Sequence, residues 1–365
     1  MKKWLKRLWI FFPLIAAALL YFLLPFFPNV AEHVFSRGIF RILSVPIGFF
    51  TSIFPFSFTE IFVIILIPLL IFLLVRGIIR LKRAERKKTV LVRGFRKCIA
   101  AISIILCVYM LLHGVNFYRL PVSRLMSLDT SECTPEELKT VCEDLAAKMS
   151  AKRELCKEDA DGHMTFSVER GKILTMAAGN YKKLYEKHPF LWGSVWRAKS
   201  VMLSHQWSYT GIAGLYFPPF VEANVNTDMP QCDIPSAAAH EVAHSRGFAR
   251  EDECNFFAYL SSTSSDSVDF RYSGYLLAYV YCIGALSDYD SSMAADANKL
   301  CSDAVKRDLA QRRDYWKQFE GKLDEIAGNI NNSFIESQGV KEGSLSYGMV
   351  VGLVIADYRV KGILK

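Results

Sequence analysis

Long apolar runs with few charged interruptions dominate the first third of the chain. Three of these runs have the length of a bilayer crossing, at about 8–27, 61–79 and 98–115. A helix needs about 20 apolar residues to cross a bilayer core, so the pattern predicts three transmembrane helices within a membrane domain over residues 1–115. The apolar segment 34–54, in which Arg37 and Arg41 lie four residues apart, is typical of an amphipathic helix at the outer interface. A re-entrant element is the alternative there.

Basic residues are concentrated around these apolar runs. The first 97 residues contain 16 Lys and Arg against 3 Asp and Glu, whereas the remainder contains 28 against 33. The net charge of +8 therefore does not indicate a nucleic-acid-binding protein. Nine basic residues lie between Arg80 and Lys97, opposed only by Glu85. Positive loops stay in the cytoplasm, so we expect a cytoplasmic amino terminus and an extracytoplasmic domain over residues 116–365.

The pattern after residue 116 predicts a domain that is mostly α with a small β component. Helical spacing recurs at about 134–156, 167–188, 236–246, 251–262, 272–287, 291–328 and 343–359. Two short apolar runs bounded by Gly and Pro, Val201–Leu203 and Ala213–Phe217, are typical of strands. The nine cysteines form no CxxC pair, so a dense disulfide framework is not expected, although one or two bridges stay open.

The most informative sequence in the chain is His240-Glu241-Val242-Ala243-His244. Residues four apart lie on one face of a helix, so both imidazoles can bind one zinc ion. The glutamate projects beside the metal, where it can take a proton from bound water and later pass it to a leaving amine. The alternative is a surface helix with two solvated histidines. The small residues around the motif favour a buried helix, in which ionisable groups need partners.

A catalytic zinc site needs a third protein ligand and an open position for water. Metzincins have their third histidine where this chain has Arg250, so that class is disfavoured. The available carboxylates lie in the segment 251–258. A continuous helix would place Glu251 about 10 Å along the axis from His244. We therefore expect the chain to fold back at Gly247, the residue best able to end a helix in a left-handed conformation.

The segment Glu251-x-x-Cys254-Asn255-x-x-Ala258 resembles the second motif of gluzincin-type metallopeptidases. That resemblance implies Glu251 as the third ligand, with Asn255 one turn later. The longer string from His240 to Asn255 resembles an uncharacterised bacterial membrane family, domain of unknown function 3810, over nearly the whole chain. This likeness implies three spans in the inner membrane followed by an outer zinc-peptidase-like domain. Only six residues separate His244 from Glu251, so Glu253 stays open as the alternative ligand.

Together these observations predict a membrane-anchored, zinc-dependent peptidase. His240, His244 and Glu251 would hold Zn²⁺, Glu241 would be the general base, and the substrate would be a peptide or protein at the outer membrane face. Tyr272 is a further candidate, as a donor to the oxyanion, although buried aromatic residues usually belong to a core. The competing class is a non-catalytic membrane scaffold with a structural zinc site.

Overall fold

The computed structural model describes residues 11–338 and 347–364. Four apolar helices form its amino-terminal part: α1 (Phe12–Leu23), α2 (Pro28–Ile53), α3 (Phe58–Arg83) and α4 (Lys87–Leu112). By length and composition, α2, α3 and α4 could cross a membrane, whereas α1 is shorter. The predicted first span, 8–27, starts outside the described residues. The helix at Pro28–Ile53 includes the segment expected to be an interfacial helix.

The polar face of α2 packs against the rest of the protein. Glu32, Ser44 and Thr51 are buried, and the Thr51 hydroxyl donates to the carbonyl oxygen of Phe220 at 3.1 Å. The guanidinium of Arg41 donates to the carbonyl oxygen of Phe190 at 2.9 Å. The amphipathic pattern of this segment therefore serves contacts between α2 and the domain that follows.

The remainder is a helical domain with two small sheets. Its helices are α5 (Val122–Leu125), α6 (Pro135–Arg153), α7 (Arg170–Gly179), α8 (Lys182–Lys187), α9 (Ser204–Ser208), α10 (Ile234–Ser245), α11 (Glu251–Thr263), α12 (Val268–Tyr289), α13 (Ser291–Lys299), α14 (Asp303–Lys317), α15 (Lys322–Ser337) and α16 (Tyr347–Val360). The strands are β1 (Lys157–Glu158), β2 (Met164–Thr165), β3 (Lys199–Ser200), β4 (Gly214–Phe217) and β5 (Glu222–Val225). The fold is mostly α with a small β component, as predicted.

Helix α10 lies at the centre of this domain because its small residues let its neighbours approach closely. Ala238, Ala239 and Ala243 are fully buried. The Tyr181 hydroxyl donates to the carbonyl oxygen of Ala239 at 2.7 Å, and the Ser273 hydroxyl on α12 accepts from the Ser236 amide at 3.0 Å. Helices α11 and α12 and strands β4 and β5 surround α10. A motif on α10 is therefore held from several sides.

The three-stranded sheet joins this domain to the membrane helices. Its order is β3-β5-β4, with β5 parallel to β3 and antiparallel to β4. Buried Glu222 of β5 accepts hydrogen bonds from the amides of Phe58 and Thr59 at 3.2 and 2.8 Å, and from the Thr59 hydroxyl at 2.7 Å. It also pairs with buried Lys199 of β3. The start of α3 is thus part of the hydrogen bonding of the sheet.

Several predicted boundaries are wrong for local reasons. The charged segment 291–328 is three helices rather than one, because Ser302 caps α14 by accepting from the Val305 amide and Gly321 precedes α15. The segment 167–188 likewise divides into α7 and α8. Strand β3 ends at Ser200, one residue before the strand expected at Val201–Leu203.

The carboxyl-terminal apolar segment forms a helix of the core. In α16, Val350, Val354 and Ile355 are buried against the domain. The first residues of the predicted helix 343–359 lie outside the described residues. All nine cysteines are unpaired.

Candidate metal centre

A helix, a tight turn and a second helix form the candidate metal centre. His240 and His244 share one face of α10, which ends at Ser245. Gly247 has a φ of +86°, a left-handed conformation that favours glycine. Helix α11 starts at Glu251, so the chain reverses as predicted and brings the first carboxylate of α11 opposite both imidazoles.

Three donor atoms converge at this turn. The Nε2 atoms of His240 and His244 lie 3.1 Å apart. The two carboxylate oxygens of Glu251 lie 3.1 Å from Nε2 of His240 and 3.6 Å from Nε2 of His244. Zinc–ligand bonds of about 2.0–2.1 Å in tetrahedral geometry separate neighbouring ligand atoms by about 3.3 Å. The three side chains therefore fit the spacing of a zinc site.

The hydrogen bonds behind the imidazoles decide which nitrogens face inwards. Nδ1 of His240 donates to Oδ1 of Asn255 at 2.8 Å, and Nδ1 of His244 donates to the carbonyl oxygen of Phe248 at 2.9 Å. In the neutral tautomers each Nε2 is therefore an acceptor. Two imidazole acceptors and the Glu251 carboxylate facing one another require a cation or a proton between them. This donor set is typical of a zinc site with oriented histidines.

The pKa values of the three groups are shifted by burial and by their mutual charges. Burial opposes the charged form of His240, but the hydrogen bond and charge of Glu251 raise its pKa to about 9. Burial lowers the pKa of His244 to about 4. Burial alone would raise the pKa of Glu251, but the two histidines lower it to about 2. Without a metal, these shifts favour a second proton on His240, at Nε2, opposite an ionised Glu251.

Glu241 lies beside this cluster without belonging to it. Its carboxylate is buried beneath β4, and a β-carbon at position 214 would lie 2.6 Å from its Cγ, so any larger residue there would have to displace Glu241. Among the described residues, Oε2 of Glu241 has no hydrogen-bond partner. Burial raises the pKa of this carboxyl to about 8. The environment is that of a group able to exchange a proton near neutral pH.

A family model matches most of the chain. The chain belongs to the family described as protein of unknown function (DUF3810). The family model matches residues 35–355. That range contains the helices α3 and α4, the sheet and the three converging residues. No curated protein and no solved structure matches the chain.

Two other candidate residues of this DUF3810 protein make different contacts. Glu253 pairs with Arg250 at 2.7 Å and accepts from the Val122 amide at 2.8 Å, so it holds α5 against α11. The Tyr272 hydroxyl is buried and donates to Asp308 at 2.7 Å. The structure thus brings Glu251, rather than Glu253 or Tyr272, together with the two histidines.

Sequence reasoning missed His113, which directly follows α4. Its ring centroid lies 5.9 Å from that of His244 and 5.6 Å from that of Tyr216, in β4. Nδ1 of His113 is buried and has no hydrogen-bond partner among the described residues. No sequence motif marks a single histidine after an apolar helix as a site residue. Only the tertiary fold places His113 beside α10.

A second group of possible ligands has a simpler explanation. Asp159, Asp161 and His163 lie together in the exposed turn between β1 and β2. The Asp159 carboxylate accepts from the amides of Asp161 and His163 at 3.0 and 2.9 Å. These are the bonds of an aspartate stabilising its own turn.

Proposed function

We propose that this protein is a membrane-anchored zinc peptidase. His240, His244 and Glu251 hold the ion, and Glu241 is the general base. The observation that carries the proposal is the position of Glu241, a buried carboxylate that lies beside the converging donors and is not one of them. A structural metal site has no need of such a group. The likeness of the motifs at 240–244 and 251–255 to those of gluzincin-type metallopeptidases supports the same assignment.

In the proposed hydrolysis, the metal and the side chains have different roles. A bound zinc ion would supply a Lewis acid and would lower the pKa of a water molecule at the site. Glu241 takes the proton from the attacking water and delivers a proton to the departing amine. Asn255 and the Phe248 carbonyl hold the two imidazoles in the tautomer that leaves Nε2 free for the metal.

Strand β4 provides a place for the substrate backbone. It pairs with β5 on one side and is an edge of the sheet among the described residues. Gly214, the first residue of β4, lies directly over Glu241. An extended peptide added to this edge by main-chain hydrogen bonds would lie next to the general base. The substrate class is therefore peptide or protein rather than a small ester.

Three substitutions test the proposal. Glu241→Gln should keep zinc but lower peptide turnover by about 100- to 10,000-fold, the usual contribution of a proton-transfer group. Glu251→Gln should weaken zinc binding, whereas Glu253→Gln, the matched control on the same helical turn, should leave zinc bound. Zinc content and turnover are measured together on the full chain in detergent or vesicles. Unchanged turnover of zinc-loaded Glu241→Gln would refute the mechanism.

The second candidate is a non-catalytic scaffold, favoured by Nδ1 of His113, for which the described part of the chain offers no hydrogen-bond partner. If this imidazole turned to the metal as a fourth ligand, the coordination would be closed and no position would remain for water. X-ray absorption of the zinc-loaded protein distinguishes the two functions. Coordination by two histidines, one carboxylate and one water oxygen would support the peptidase. Coordination by three histidines, reduced to two in His113→Ala, would support the scaffold.

The proposed location is the bacterial inner membrane, with several spans and a cytoplasmic amino terminus. It rests on the basic residues between Arg80 and Lys97 and on the exposed apolar surfaces of α3 and α4. The lipid bilayer is then a partner of the helices, and the metal centre lies outside the cytoplasm.

A further inference from the structure

The candidate metal centre lies at one end of a helical hairpin. Helices α3 and α4 have 26 residues each and are joined by residues 84–86, so Phe58 and Leu112 lie at the same end. His113, the next residue after α4, packs its ring against metal-binding His244 at 5.9 Å. One residue therefore separates the end of an apolar helix from the proposed zinc site.

Strand β4 lies across the ends of both helices of the hairpin. The Tyr216 hydroxyl donates to the carbonyl oxygen of Leu112 in α4 at 3.4 Å. The ring of the next residue, Phe217, lies 5.9 Å from the ring of Phe62 in α3. Because Gly214 of the same strand lies over Glu241, the general base and the membrane helices meet at one short strand.

The charges on the hairpin determine how deeply it sits in the bilayer. All five charged residues of α4 lie between Lys87 and Lys97, which leaves 15 uncharged residues from Cys98 to Leu112. That stretch is about 22 Å long, shorter than the roughly 30 Å of a hydrocarbon core. The hydrocarbon must therefore extend to the Leu112 end of the helix. This places the metal centre at the surface of the bilayer.

The surroundings of β4 on this side are apolar. Beyond Phe217, the ring of Phe220 lies 5.6 Å from that of Phe62. A pocket of about 500 Å³ adjoins this aromatic group and is lined by Pro46, Ile47, Phe50, Thr51, Phe58 and Phe220. A peptide bound along β4 would thus have an apolar wall at the Phe217 end of the strand and Glu241 at the Gly214 end.

We infer that the substrate is a polypeptide anchored in the same bilayer, cut within about ten residues of its anchor, the reach of a short extended segment. This inference rests on the proposed peptidase function. The reaction is hydrolysis: the oxygen of water bonds to the carbonyl carbon, the C–N bond breaks, and the amine leaves with a proton delivered by Glu241. A substrate held in the bilayer reaches β4 in two dimensions, at a raised effective concentration.

The test uses the full chain, loaded with zinc and reconstituted in vesicles of phosphatidylcholine and phosphatidylglycerol. The first probe is a polar segment of degenerate sequence attached to a single transmembrane helix. The second is the same segment without the helix. The third has a rigid spacer of about 30 Å between helix and segment. Mass spectrometry gives the cleaved bonds, and Glu241→Gln is the control for background proteolysis.

The anchored probe should be cut near its helix, about 100-fold faster than the soluble one, the order of gain that tethering gives. The spacer should abolish most of that gain. The inference is overturned, and the proposed peptidase function is not, if Glu241-dependent cleavage is equally fast for the anchored and soluble probes. The same holds if the spacer does not change the cleavage rate of the anchored probe. No Glu241-dependent cleavage of any probe instead overturns the proposed function, and the inference with it.

Discussion

Asn255 accepts a hydrogen bond from Nδ1 of His240 at 2.8 Å. Asn255 lies one helical turn after Glu251, so α11 supplies both a proposed ligand and the group that orients a second proposed ligand. Groups that fix a metal-binding histidine in this way typically contribute about 10- to 100-fold in metal affinity. The spacing Glu-x-x-x-Asn places both side chains on the same face of α11, so both can contact His240.

Asn255→Ala should therefore lower zinc affinity by about 10- to 100-fold. Asn255→Asp, which keeps an acceptor in place, should retain most of it. Competition with a chelator of known affinity measures both variants. Wild-type affinity in Asn255→Ala would show that the hydrogen bond does not orient His240.

Gly214→Ala should impair turnover without removing zinc. The added β-carbon would displace Glu241, whose Cγ it would approach to 2.6 Å, while the three ligands are untouched. Misplacing a catalytic group by about 1 Å can cost about 100-fold in rate. The matched control is Gly284→Ala, because a β-carbon at position 284 meets nothing within 4 Å. If both variants kept full turnover, Glu241 would not act from beneath β4.

Zinc affinity should rise with pH up to about 9. Without metal, the carboxylate of Glu251 raises the pKa of His240 to about 9 against the effect of burial. Zinc needs the neutral imidazole, so each ion bound below that pH displaces one proton. The expected slope is about tenfold per pH unit between about pH 7 and 9. An ordinary histidine titrates near 6.5, so a flat profile above pH 7 would contradict the proposed pairing with Glu251.

Reporter fusions test the proposed topology. A fusion after Val90, in the basic segment, should be active only as a cytoplasmic reporter, and one after Leu125 only as an external reporter. The reversed pattern would place the metal centre in the cytoplasm. It would leave the zinc chemistry unaffected but exclude extracytoplasmic substrates.

Local periodicity was sufficient to predict that His240, His244 and Glu251 converge, but not the contacts that surround them. The spacing of His240 and His244 places them on one helical face, and Gly247 predicts the reversal that brings Glu251 to them. Asp233 occupies the N-cap position of α10, but its side chain makes no capping hydrogen bond and pairs instead with Arg312 of α14 at 2.6 Å. That partner, like the placement of His113, depends on packing between distant segments. No local pattern encodes such contacts, because they arise only when the helices assemble.

Tertiary contacts also explain why the Tyr272 hydroxyl lies in the core and not at the candidate metal centre. The sequence makes Tyr272 a candidate donor to the oxyanion because it follows the two helices that carry the proposed ligands. Asp308 accepts its hydroxyl hydrogen bond and also pairs with buried Arg153 at 2.5 Å. A buried ion pair needs further hydrogen bonds to offset its desolvation. Tyr272 therefore supplies one of the bonds that satisfy this pair within the core.

The bonds of Glu222 to the start of α3 have a consequence for biogenesis. The amides of Phe58 and Thr59 compensate a buried carboxylate in the sheet that supports β4. If the hairpin has not yet entered the bilayer and α3 is not held against the sheet, Glu222 loses these amide bonds and keeps only its ion pair with buried Lys199, and a buried ion pair needs such further hydrogen bonds to offset its desolvation. We therefore expect the proposed peptidase activity to appear only after the hairpin has been inserted, because β4 is less firmly held in chains that have not entered the membrane.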